Sequence, residues 1–180
     1  MKVFIGAKIY DPKTGRMVGD CGFQEAHSFV SNFIKALFVV MSQIGITIPD
    51  VGGAQRSITT AIGGILGVSA AANSTTAGII IGSGTNAVTL GDLNLQTQVT
   101  SNVYHQLMNF FMNSSSSSSF ELIISRTFLN NTGSTLTITE VGLIGSSNAG
   151  NTFLIDRTLY SVVVPIGLSV TLTYKIGIAL

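Results

Sequence analysis

The C-terminal stretch from Leu136 to Leu180 constrains the fold most. Leu136 and Ile138 alternate with Thr135, Thr137 and Thr139, and the alternation breaks at Glu140-Val141. Further on, Val170, Leu172, Tyr174, Ile176 and Ile178 take every second place, opposite Thr171, Thr173 and Lys175. A period of two puts one set of side chains on each face of a strand. Three such runs are separated by Ser-Ser-Asn-Ala-Gly-Asn at 146–151 and by Pro-Ile-Gly at 165–167. They predict an antiparallel meander with one buried face. The fold class expected is mainly β: an antiparallel, jelly-roll-like β-sandwich with one amphipathic α-helix packed on it, in a single domain over 1–180.

Upstream, Val3 to Tyr10 and Arg16 to Gln24 flank Asp11-Pro-Lys-Thr-Gly15, a turn with Pro placed to start it. Residues 1–24 therefore predict a hairpin, and the charges gathered there suggest an ordinary solvated hairpin or an arm that meets a neighbour. The helix is expected at 26–44. Phe29, Phe33, Leu37, Phe38 and Met41 would form its packing face, while Asn32 and Lys35 fall on the polar side. Residues 46–76 are rich in Gly and Ala without clean periodicity, and read as an insertion or assembly loop. Residues 77–180 would form the core. Within them Gly78 to Ile81 and Gln96 to Thr100 read as strands. Asp92-Leu-Asn-Leu could make one helical turn, and the serine run 114–119 would join two paired strands.

Charge sharpens the expectation. Only 9% of residues are charged, with a net charge of +1, against about 25% in ordinary soluble domains. A chain with so few charges is expected to hide surface in an assembly, or to present a Ser/Thr/Asn-rich extracellular face. There is no basic field for sequence-specific nucleic-acid binding. No apolar run is long enough to span a membrane, and the start lacks the pattern of a secretory leader. The single Cys21 excludes an internal disulfide and multi-cysteine zinc sites, and it reads as a half-buried strand residue.

No reaction is announced. His27 and His105 have no second ligand at metal spacing and read as surface or interface residues. No Gly-x-Ser-x-Gly marks a nucleophile. Gly82-Ser83-Gly84, with Ala87 following, loosely matches a dinucleotide loop, yet no amphipathic helix and no ribose-binding acid follow. No cofactor is expected, and no catalytic, cofactor-binding or metal residue is assigned. The charges that stand out are Glu140, Asp156, Arg157 and Arg126, set in apolar or Thr-rich strands. Charges at the edge of a β-core are usually paired. Glu140 with Arg157, and Arg126 with Glu121 or Asp156, are therefore the expected structural ion pairs. Asn73, Asn113 and Asn130 begin glycosylation acceptor patterns.

Three blocks together resemble a known group. They are Ser28 to Phe33, Gly78 to Val88, and Ile138 to Leu143 followed by Leu-Ile-Asp-Arg-Thr-Leu (154–159) and the Val163 to Tyr174 segment. Together they are similar to β-rich structural proteins of tailed phages and related viruses, of the tail, collar or capsid-decoration type. The resemblance covers roughly the last hundred residues plus the helix, while 46–76 has no counterpart. It implies a non-enzymatic virion subunit that self-assembles in the host cytoplasm, with homo-oligomeric and other virion partners. An extracellular filament or adhesin subunit assembled by strand exchange stays open, as does a carbohydrate-binding β-sandwich module.

Overall fold

The computed structural model of the chain describes residues 2–26, 32, 35, 45–58, 67–116, 119–147 and 150–179, with the backbone alone at 2, 114–116, 119–120 and 178–179. The chain is mainly β, and every strand pairing is antiparallel. The strands are β1 (Lys2–Tyr10), β2 (Met17–Glu25), β3 (Ile46–Pro49), β4 (Gln55–Ile58), β5 (Gly78–Gly82), β6 (Val103–His105), β7 (Asn109–Ser116), β8 (Ser119–Asn130), β9 (Leu136–Ser146), β10 (Thr152–Val164) and β11 (Ser169–Ala179). One six-stranded sheet runs β2-β1-β11-β8-β6, with β7 also on β8. A second sheet runs β10-β9-β5, and β3 and β4 form a separate hairpin.

Alternation explains the core. Val3, Ile5, Ala7 and Ile9 project from one face of β1, and Val170, Leu172 and Tyr174 from the same face of β11. They share one hydrophobic cluster with Ile79 and Ile81 of β5, Ile138, Val141 and Leu143 of β9, and Val162 and Val164 of β10. Both sheets thus contribute to a single core. The Tyr174 hydroxyl donates 2.9 Å to Asp156 Oδ2, a bond between the two sheets. The second sheet is also covered on its other face, where Ile80, Leu95, Ile144 and Leu154 cluster. Gly142 is needed there, since a Cβ would stand 2.9 Å from Leu95.

Several expectations are corrected. The last three strands are not a meander: β9 and β10 pair, but β11 crosses to the other sheet and lies between β1 and β8. Alternation reports which face a side chain takes, and is silent about which strand it pairs with. Nor is one face of β9 and β10 free, because Phe153 to Thr158 are buried without interruption. The N-terminal hairpin is no projecting arm, because β1 is an interior strand with its apolar face in the core. Residues 96–100 make only an isolated bridge, Gln98 to Gly82, and 92–95 form no helical turn. Part of 46–76 is the β3–β4 hairpin, whose Ile48 and Ile58 pack on Phe153.

The helix expected at 26–44 and its packing face, Phe29, Phe33, Leu37, Phe38 and Met41, lie outside the described residues. Within it only Ala26, which is not helical, and Asn32 and Lys35, both with helical backbone, are described. Asn32 is buried, contrary to its expected polar face, and its amide donates 3.0 Å to the Pro49 carbonyl. No helix among the described residues is long and apolar enough to cross a membrane.

Leu172→Ala should remove about 2–5 kcal/mol of stability, because its side chain is fully buried between the sheets. Val163→Ala, one place off the buried set of β10 and 52% exposed, should stay within about 0.5 kcal/mol. Urea denaturation of both variants checks the assignment of faces.

Candidate functional site

Four buried charges define the site: Arg126, Glu140, Asp156 and Arg157, each at most 2% exposed. Glu140 is paired on β9 between Gly82 of β5 and Leu159 of β10, with its side chain on the face away from the main core. Its Oε1 accepts the backbone N–H groups of Thr97 at 2.7 Å and Gly84 at 3.0 Å. Its Oε2 accepts the Gln96 N–H at 3.1 Å and Arg157 Nε at 2.8 Å. Arg157 continues the network, with Nη1 donating 2.8 Å to Asp92 Oδ2 and Nη2 donating 3.1 Å to the Asn86 carbonyl. Asp92 in turn accepts from the Thr89 N–H and hydroxyl. The Gln96 side-chain carbonyl takes the Thr85 and Asn86 N–H groups. The loop 83–97 is therefore fastened over the second sheet by two acids, one arginine and one glutamine.

The Gly82-Ser83-Gly84 sequence now has a reason. A phosphate-binding loop offers free backbone N–H groups. Here those of Gly84, Thr85 and Asn86 are already taken by the chain's own side chains. The glycines permit the approach of the carboxylate, since a Cβ at Gly82 or Gly84 would stand 2.6 or 2.5 Å from Glu140 Oε1. No helix follows the loop. Burial pushes the Glu140 and Asp92 carboxyls up. The backbone N–H bonds and Arg157 on Glu140, and the Thr89 and Arg157 bonds on Asp92, outweigh it and hold both below their ordinary range. Burial pushes Arg157 down, and its bonds to Asp92 and Glu140 more than restore it.

Arg126 is organised differently. It meets no carboxylate among the described residues, so the expected pairing with Glu121 or Asp156 is corrected. A guanidinium has five N–H donors, and here each faces a backbone carbonyl. Nε donates to Gln106 at 2.8 Å, Nη1 to Ala77 at 3.2 Å and Ile79 at 2.9 Å, and Nη2 to Ala71 at 3.0 Å and Ser74 at 2.8 Å. Four of these acceptors lie in 71–79, the segment that leads into β5. Burial lowers the Arg126 pKa to about 10. Beneath it, His105 meets the Phe128 ring edge-on at 5.0 Å, and its two ring nitrogens find no hydrogen-bond partner among the described residues. Burial, then the neighbouring Arg126 charge, lower its pKa to about 4, while the nearby Ser74 backbone offsets part of the shift without meeting hydrogen-bond geometry. His105 is thus a core residue, not the surface residue expected.

Asp156 also meets no cation among the described residues, a second correction. Its Oδ2 accepts the hydroxyls of Tyr174 and Thr158, each at 2.9 Å. Burial raises its pKa to about 6, although both hydroxyl bonds oppose the rise. Only Glu140 and Arg157 of the four are brought together. Among the acceptor-pattern asparagines, Asn130 is buried. Its amide donates to the Ser134 and Val164 carbonyls, and its oxygen accepts from Thr132. It offers no free nitrogen to a glycan, whereas Asn73 and Asn113 are exposed. Cys21 is exposed on β2.

Sequence reasoning missed the carbonyl cage around Arg126, because backbone acceptors have no signature in side-chain spacing. It also missed a cleft of about 250 Å³ on the outer face of the larger sheet, lined by Lys8, Tyr10, Phe23, Thr171, Thr173 and Lys175. There Lys175 Nζ sits 4.5 Å over the Phe23 ring, the surface on which a sugar would stack. Among the described residues no three His, Cys, Asp or Glu side chains gather where they could hold a metal ion. The buried charges have the geometry of fasteners: each ends on backbone, hydroxyl or opposite charge. Comparison with family models, with curated proteins and with solved structures finds no match to this chain.

Glu140→Gln and Arg157→Met should each destabilise by about 3–5 kcal/mol, by removing one partner of a buried ion pair. The double variant should lose less than the sum of the two, by about 0.5–3 kcal/mol. Chemical denaturation of all four proteins checks this.

The two perturbed groups oppose each other with pH. The Asp156 pKa is raised by folding, from 3.8 to about 6. Its contribution is full below about pH 4 and is lost as pH rises through 6, by roughly 3 kcal/mol. The His105 pKa is lowered, from 6.5 to about 4. The neutral ring is required, so stability is lost as pH falls from 6.5 through 4, again by roughly 3 kcal/mol. Wild-type stability should therefore vary little across pH 4–6. Asp156→Asn should unmask a loss on acidification, and His105→Phe a gain. Thermal melts across that range read both slopes.

Proposed function

We propose that the protein is a virion structural subunit, a capsid, decoration or tail component that acts by self-assembly, built as a jelly-roll-like antiparallel β-sandwich. The core shared by two antiparallel sheets supports the sandwich reading. The observation that carries the function is where the charges sit. The chain has nine basic and eight acidic residues, and five of them, Asp50, Arg126, Glu140, Asp156 and Arg157, are buried. A surface this poor in charge also shows Met17, Val18, Leu107, Phe110, Phe111 and Met112 to solvent. An isolated soluble monomer keeps dispersed surface charge and few exposed apolar residues. A subunit whose surface is covered by neighbours is free of both requirements. The resemblance of the Gly78–Val88 block and the blocks between Ile138 and Tyr174 to phage structural proteins points the same way.

An extracellular filament or adhesin subunit built by strand exchange is the second reading, favoured by the β7 sheet edge, which has no further strand on it among the described residues. A carbohydrate-binding module has less support, because Lys175 occupies the face of Phe23.

The purified full-length chain should form a homo-oligomer by light scattering, and electron microscopy should show closed rings, shells or short tubes of defined geometry. Open-ended fibres would favour the filament reading. A clean monomer at high concentration would overturn self-assembly altogether.

A further inference from the structure

The sheet edges are treated unequally. An open edge exposes unpaired N–H and C=O groups and invites another strand, so folded proteins blunt it with charge, bulges or cover. The β2 edge is blunted by two register shifts against β1 and by Asp20 and Glu25. The β10 edge is met at its start and near its middle: Val51 N–H donates to the Thr152 carbonyl, and the Gln24 amide to the Leu159 carbonyl. The β5 edge is covered by 97–99 through Ser83 N–H to Thr97 and Val99 N–H to Ile81. The β6 end of the remaining edge is covered by 70–73, which accepts from Met108 N–H and donates to the His105 carbonyl.

β7 differs. It pairs with β8 alone among the described residues. Its sequence, Asn-Phe-Phe-Met-Asn-Ser-Ser-Ser, holds no charge and no proline. Phe110 and Met112 lie on one face, and Phe111 on the other, at 44, 77 and 61% exposure. Its one register shift against β8 lies near its end, between Asn113 and Ser116; along 109–113 none of the usual guards stands among the described residues, and both faces of the strand carry apolar area.

We propose that β7 docks antiparallel against β7 of a second copy about a two-fold axis, joining two six-stranded sheets into one. The strand suits itself as partner. In antiparallel self-pairing each residue meets a residue of the same strand in the other copy, so several like charges in β7 would oppose one another across the two-fold; this strand carries none. The backbone edge supplies the hydrogen bonds, and Phe110, Phe111 and Met112 of the two copies supply the buried area on both faces. Self-pairing consumes the edge, so the contact closes as a dimer, and any larger assembly then uses other surfaces. The proposal rests on the self-assembly reading and goes further, by naming the surface and the partner.

The test uses the full-length chain with Phe111→Lys and Met112→Lys, each placing a charge on the edge, and Leu90→Lys as a control at an exposed loop position. Circular dichroism and melting temperature establish that each variant folds. Light scattering gives the oligomeric state, and amide hydrogen exchange reads β7 directly. The expected result is wild-type protein with β7 amides protected at least tenfold more at high than at low concentration. Both edge variants should fold but lose that protection and the dimer, while Leu90→Lys keeps both. Assembly retained by the edge variants, with β7 amides exchanging fast throughout, would overturn the docking edge and leave self-assembly standing; the edge would then be open to a different chain. Wild-type protein that is monomeric at every concentration would overturn both.

Discussion

A carboxylate without exposed surface persists only when its charge is met on every side, and at Glu140 three backbone N–H groups and Arg157 meet it. Much of the second sheet depends on this arrangement. Loop 83–97 covers the outer face of β5 and β9, and it includes Leu95, which closes the cluster with Ile80, Ile144 and Leu154. The loop has almost no strand ladder of its own, so its buried N–H groups need acceptors from elsewhere. A neutral side-chain oxygen accepts fewer and weaker bonds than an ionised carboxylate. One glutamate on β9 therefore does for three scattered amides what a partner strand would do for a regular one. Gly82 and Gly84 are the corollary, because any Cβ there would occupy the space of the carboxylate.

Arg126 is the complement. The segment 71–77 is also irregular, and with the start of β5 it presents carbonyls where 83–97 presents amides. Ala71, Ser74, Ala77 and Ile79 each place an oxygen on the guanidinium. A cation resolves a surplus of acceptors, just as an anion resolves a surplus of donors. The two buried charges thus divide the backbone accounting of the two loops that flank β5. Such groups are weak sources of net stability, because desolvation offsets much of their attraction. Their contribution here is one of position: with either removed, a set of buried backbone groups would have no partner.

These relations were unevenly legible in the sequence. The β class, the hairpin at the start and the pairing of β9 with β10 follow from period-two alternation and turn chemistry. The contact of Glu140 with Arg157 follows from two opposite charges on neighbouring apolar strands, where an unpaired charge would be costly. Arg126 and Asp156 carried the same signal, a charge in a β-core, but their partners are carbonyls and hydroxyls, which the pattern of ionisable residues does not show. His105 misled for a related reason. A histidine among polar neighbours reads as surface, yet the strand turns it onto Phe128. The placement of β11 was the largest departure. Pro165-Ile-Gly167 has the chemistry of a tight turn whether the next strand returns to the same sheet or crosses to the other. Only the side chains that meet across the core distinguish the two, and Tyr174 reaching Asp156 is one such meeting.

Scarcity of charge links the interior to the surface. Each charge placed inside to satisfy loop backbone is one fewer outside to guard an edge, and this chain starts with few. At β2 the remaining acids are combined with bulges; at β10 and β5 the protein covers its edges with its own loops and side chains. Those covers are the same irregular segments that Glu140 and Arg126 hold in place: 97–99 adjoins the Glu140 contacts, and 70–73 includes Ala71, bound by Arg126. By fixing the loops that close two edges, the buried charges leave β7 as the edge of the larger sheet without a cover among the described residues, and in the proposed dimer they would act on association at one remove.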